Sequence, residues 1–148
     1  MIIAVACCCL AWNVHAQEDV GVKVSIVIHE DGTKTVTKLD PEQHSSEETT
    51  YGMKERVLKR VVYALDENNL AQSAVVFNSK GAPERKLVFK YDPLSRLAEE
   101  QDYNLQDELL LRFVYEYGKS GKLLRIRAYD ANGKEQTSAT SAPQRGMH

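Results

Sequence analysis

The sequence predicts an all-β chain: an antiparallel meander of about eight or nine strands built from hairpin repeats, forming a curled sheet or a partly closed barrel. Three observations predict it. Aromatic and β-branched residues recur at a fixed interval of 26, turn-forming residues follow them at alternating intervals of 12 and 14, and Val22, Val24, Ile26 and Ile28 recur at every second position near the N-terminus. Regularly spaced short strands separated by turn signals are the mark of such folds.

The register of the repeat is gapless. Tyr63, Phe89 and Tyr115 are spaced by 26, as are Val62, Val88 and Val114, then Leu65, Tyr91 and Tyr117, then Phe77, Tyr103 and Tyr129. Asp66, Asp92 and Gly118 follow one set of strand ends, and Asn78, Asn104 and Asp130 follow the other. A short Asp or Asn side chain accepts a hydrogen bond from the backbone two residues on. Three positions later stand Asn69, Ser95 and Gly121, or Gly81, Asp107 and Gly133. A hairpin built on a type I turn needs a positive φ there, which Gly adopts freely and Asn or Asp tolerate. Six turns thus separate seven strands over residues 56–135.

Residues 17–40 add an N-terminal hairpin. Val22, Val24, Ile26 and Ile28 alternate, "HEDGT" turns the chain, and a Thr-rich return follows. Helix is the rival over "MKERVLKRVVYALDE" and "SRLAEEQDYNLQDELLL", whose composition favours it. The repeat decides for strand, because "RVVYAL" aligns with "KLVFKY" and "RFVYEY". Residues 41–55 read as a polar linker and residues 136–148 as a disordered tail.

Three-residue turns would keep odd-numbered positions on one face throughout. That face would hold Val61, Tyr63, Leu65, Val75, Phe77, Leu87, Phe89, Tyr91, Leu111, Phe113, Tyr115, Tyr117, Leu123 and Tyr129 as the core. Arg60, Gln72, Lys86, Lys90, Glu100, Asp102, Arg112 and Glu116 would lie opposite. The ladder Tyr63, Phe89, Tyr91, Tyr115, Tyr117 is either core or a surface for carbohydrate or peptide, since tyrosine suits both.

The first sixteen residues, "MIIAVACCCLAWNVHA", carry no charged side chain and end in a small-residue site. They read as a signal peptide cleaved between Ala16 and Gln17, which implies export to a periplasm or the extracellular space. The only cysteines, Cys7, Cys8 and Cys9, lie inside it. The mature chain then has no disulfide, no thiol chemistry and no stable transmembrane segment.

Charge excludes one class of partner. Residues 17–50 hold 8 acidic and 3 basic side chains, and residues 51–148 hold 13 acidic and 16 basic. That surplus is spread along alternating strands, so nucleic acid is not an expected partner. His29, His44 and His148 have no Cys, Ser or carboxylate at a catalytic or metal-binding spacing. "DANG" and "HEDG" lack the twelve-residue ligand pattern of a calcium loop. No cofactor and no enzyme activity are expected.

Residues 57–135 resemble the YD repeats of RHS-type proteins. "FKYDPLSRL" carries the aromatic pair, the Asp, the turn and the Arg-Leu; "YEYGKSGKLL" and "AYDANGK" are similar. Asn69 and Ser95 replace the turn glycine. The resemblance implies hairpin strips used in surface contact; the family's arrays are far longer and often enclose a toxin, for which this chain has no room.

The expected function is that of an exported, non-enzymatic structural or interaction protein with an unidentified protein or carbohydrate partner. The alternative is a small ligand-binding β-barrel, closed by pairing the first hairpin with the last strand. Burying the aromatic face would require a curled sheet or a homodimer. The exported protein should have an intact mass beginning at Gln17; an exported form that retains the three thiols would contradict the cleavage.

Overall fold

Each tight turn is built the same way, and together the turns lay the chain out as one sheet. The computed structural model describes residues 21–136. Ten antiparallel strands follow in chain order: β1 (Lys23–Ile28), β2 (Lys34–Asp40), β3 (Ser45–Tyr51), β4 (Val57–Leu65), β5 (Ala71–Phe77), β6 (Pro83–Tyr91), β7 (Leu97–Tyr103), β8 (Leu109–Tyr117), β9 (Leu123–Asp130) and β10 (Glu135–Gln136). Spatial order equals chain order, and the sheet does not close into a barrel. The expected signal peptide and most of the expected tail lie outside the described residues.

In the turn after β9, the Asp130 backbone N–H donates to the Lys134 carbonyl, and the Gly133 N–H donates to the Asp130 carbonyl. The Asp130 carboxylate accepts from the N–H groups of Asn132 and Lys134. Asp66, Asn78, Asp92 and Asn104 make the same pair of side-chain bonds in their turns. The residue three positions later always has positive φ: Asn69 at 61°, Gly81 at 77°, Ser95 at 57°, Asp107 at 62°, Gly121 at 81° and Gly133 at 77°. These loops contain three residues, as the spacing predicts.

What the spacing does not reveal is a bulge in each return strand. Pairing runs from Ala64 with Ser73 to Leu65 with Ala71, so Gln72 is extra. By the same count Leu58, Glu84, Ala98, Leu110 and Leu124 are extra in their strands. An added residue leaves the ladder unpaired and shifts the register. Because the side-chain period is 2, a shift of one exchanges the faces.

The expected odd-numbered core face therefore needs correction. It holds for β4, β6 and β8 beyond their bulges; in β5, β7 and β9 it holds only for Ala71, Leu97 and Leu123 before the bulge, and even-numbered residues replace it beyond. Tyr63 faces Ala74, Val61 faces Val76, Phe89 faces Glu100, and Leu87 faces Asp102. Val75, Phe77 and Tyr129 join Arg60, Lys86 and Arg112 on the other face, while Glu100 and Asp102 move to the core face. The buried cluster is Val61, Tyr63, Ala74, Val76, Leu87 and Phe89, with Leu65, Ala71, Tyr91 and Leu97 packed against it.

The stretch expected to be a polar linker is β3, followed by a 3-10 turn at Met53–Glu55. It pairs with β2 and β4 along its whole length. Its polarity hid it, because Ser, Glu and Thr fill positions that are Val and Ala one repeat later. It is nonetheless a fourth copy: Val36, Leu39, Asp40 and Tyr51 stand 26 residues before Val62, Leu65, Asp66 and Phe77.

Turn chemistry is open to direct measurement. A Cβ built on Gly133 meets no atom within 4 Å, so a substitution there isolates the backbone term. Gly133→Ala should cost about 1 kcal/mol, the penalty of an L-residue in the left-handed region. Ser95→Gly should stabilise by about 0.5 kcal/mol, since relief of that penalty exceeds the added chain entropy. Urea midpoints that move together in the two variants would contradict this.

Candidate functional site

The two faces of the sheet differ in kind. On the core face, the rings of Tyr63 and Phe89 lie with centroids 6.1 Å apart and 32° between planes. Phe89 is 3 % exposed and Tyr63 is buried. These two members of the aromatic ladder are core side chains. The Tyr91 hydroxyl donates to the Ala71 carbonyl, and one repeat later the Tyr117 hydroxyl donates to the Leu97 carbonyl. Burial raises the Tyr117 phenol pKa above its ordinary value, and Asp92 pushes the same way against Arg96.

The ladder alternates in polarity. The Tyr63 hydroxyl donates to Glu48, and the Tyr115 hydroxyl donates to Glu100. The copy between them has Phe89 and Ala74 at those positions. Donor and acceptor are thus lost together, which leaves no buried polar group behind.

The opposite face carries cation–aromatic pairs in a second register. Lys34 lies over the Tyr51 ring at 5.1 Å, Arg60 over Phe77 at 4.3 Å, and Arg112 over Tyr129 at 4.7 Å. Lys86 stands opposite Tyr103 at the corresponding place. Each cation also has a carboxylate. Lys34 bonds Glu55 and Lys86 bonds Asp107; Arg60 bonds Glu47 and Arg112 bonds Glu99. Lys copies therefore take their acid from the turn, and Arg copies from a neighbouring strand. The contacts repeat every 52 residues, twice the sequence period. Arg96 adds a stack on Tyr117 at 4.5 Å.

One charge is out of place. Asp102 lies on the core face at 3 % exposure, opposite Leu87 and Leu111. The equivalent positions hold Thr50, Val76 and Ala128. Arg85 donates to its Oδ2, whereas Oδ1 is buried without a hydrogen-bond partner. Burial pushes the Asp102 pKa up, and this outweighs the opposing pull of Arg85 and Lys59. Sequence spacing missed this carboxylate because the unbroken parity put it on the solvent side.

Among the described residues no three His, Cys, Asp or Glu side chains converge to hold a metal. A shallow depression of about 550 Å³ is lined by His44, Leu65, Asp66, Glu67 and Asn68. No helix among the described residues is long and apolar enough to cross a membrane. No protein-family model matches the chain, and no curated protein sequence matches it.

Asp102 makes a pH prediction. A carboxylate whose folded pKa is raised contributes stability that is present at low pH and lost as pH rises through that pKa. Asp102→Asn removes this loss. Its urea midpoint relative to the parent chain should therefore climb as pH is raised from the acid side toward neutrality. An advantage that shrinks with rising pH would mean that Arg85 outweighs burial.

Proposed function

We propose that this chain is an exported, non-enzymatic structural or interaction protein whose repeats form a scaffold rather than a pocket. The observation that carries the reading is the distribution of satisfied and unsatisfied surface. On the repeat faces, acid, cation and ring are stitched together across strands. Large apolar side chains are most exposed, as a group, at the β1 edge. Such a molecule makes contacts by its edge and leaves its faces rigid.

The YD-like spacing supports the same class, since the resembling repeats are used in surface contact. Export follows from the apolar N-terminal segment and its Val14-His15-Ala16 site. The ligand-binding barrel loses its premise, because β1 and β10 stand at opposite ends of the sheet.

Photo-crosslinking in the cell tests the reading, with p-benzoylphenylalanine placed at Ile26 on the edge or at Val75 on a face. Crosslinks from Ile26 to a macromolecule, of any identity, are expected. A small metabolite retained in native mass spectrometry, with no macromolecular crosslink at either position, would overturn the scaffold in favour of ligand binding.

A further inference from the structure

The two edges of the sheet are not alike. At the far edge, among the described residues, β10 pairs only with Ala128 and Tyr129, and the strand beside it carries Arg125 and Arg127, each ion-paired to Glu116; charged side chains are a common edge protection. β1 is six residues long and exposed throughout. Val24 is 58 % exposed, Ile26 60 %, Val27 53 % and Ile28 77 %. It has no proline, its pairing with β2 is unbroken by a bulge, and its one charge is Lys23 at the start. None of the usual protections is present along Val24–Ile28, and such a strand is a template for another.

Its free hydrogen-bonding groups can be assigned. The His29 N–H donates to the Thr33 carbonyl, so the pair before it, Ile28 with Lys34, is a non-hydrogen-bonded pair. In an antiparallel ladder the two kinds alternate. The backbone groups of Lys23, Ser25 and Val27 therefore point to β2, and those of Val24, Ile26 and Ile28 point outward. The residues with open backbone groups are also the apolar ones, sharing a face with Val36.

We propose that β1 pairs with β1 of a second copy, antiparallel, about a two-fold axis through Ile26. Ile26 then faces Ile26, and Val24 faces Ile28 on both sides of the axis. Each facing pair exchanges its outward backbone bonds. The strand's charge is polar along its length, with Lys23 at one end and the Glu30-Asp31 turn at the other. Antiparallel pairing brings each Lys23 to the acidic turn of the other copy, whereas parallel pairing sets like charges together. The arrangement also closes. It consumes both β1 edges and leaves outside the β9–β10 edges, which carry Arg125 and Arg127, so pairing through β1 stops at two. The proposal rests on the scaffold reading and names its partner as the chain itself.

Sedimentation of the exported protein should show a dimer, and Ile26→Lys should be a folded monomer whose melting temperature no longer rises with protein concentration, because residue 26 is solvent-exposed in the single chain. A second measurement does not depend on dissociation. In a chain with Cys7, Cys8 and Cys9 changed to Ser, Ile26→Cys should crosslink to itself on mild oxidation, since facing Cα atoms about 5.5 Å apart suit a disulfide. Lys23→Cys should not. A wild-type monomer, or an Ile26→Lys dimer, overturns the pairing. A monomer whose Ile26 backbone amide resists hydrogen exchange assigns the edge to another segment of the same chain and likewise overturns it. Crosslinking of Ile26 only to a different macromolecule would end this proposal while leaving the scaffold reading intact.

Discussion

The extra residue after each repeat turn is the constraint on which the rest of the structure depends. A type I turn with a three-residue loop would by itself align odd positions with odd. The bulges at Leu58, Gln72, Glu84, Ala98, Leu110 and Leu124 undo that alignment once per hairpin. Two bulges fall within each 26-residue unit, so equivalent residues of successive copies still share a face. The β2–β3 hairpin reaches the same parity by a different route. Its loop between Asp40 and Ser45 is one residue longer and its pairing has no bulge. His44 takes the positive φ there.

With parity settled, a single sheet buries a core without a second layer through the size contrast of facing residues. Tyr63 lies against Ala74, Leu87 also lies against Ala74, and Phe89 faces Glu100. Large rings spread over small partners and exclude water from the sheet surface, worth roughly 1.5 to 3 kcal/mol for each large side chain fully buried. The tyrosine hydroxyls end on backbone carbonyls or on Glu48 and Glu100, so burial of the ring strands no donor. Asp102 is the exception, a carboxylate in an apolar row with one oxygen unsatisfied.

Fold class, the repeat strands and the positive-φ slots were legible in the sequence because each depends on local chemistry. Asp or Asn starts the turn, and a permissive residue stands three positions on. The N-terminal hairpin was legible from its alternation. The faces were not, because Leu58 or Ala98 looks like any strand residue and nothing in its side chain announces a bulge. β3 was missed for another reason. Its Ser, Glu and Thr residues read as solvated linker, and only the interval from Tyr51 to Phe77 marks it as a strand. The 52-residue alternation of Lys and Arg copies, visible once contacts are known, is also present in the sequence at Lys34, Arg60, Lys86 and Arg112.

That doubled period makes the molecule a graduated ruler. A Lys copy takes its acid from its own turn and an Arg copy from a strand of the Lys copy before it, so an Arg copy is complete only next to a Lys copy. Lengthening the sheet by one 26-residue unit would place two copies of the same kind side by side. Lengthening it by a pair preserves every stitch, and adds four strands, or about 19 Å. A second Arg copy in a row would stand beside Ser73 or its counterpart instead of a glutamate, so the pair is the unit in which the pattern extends intact.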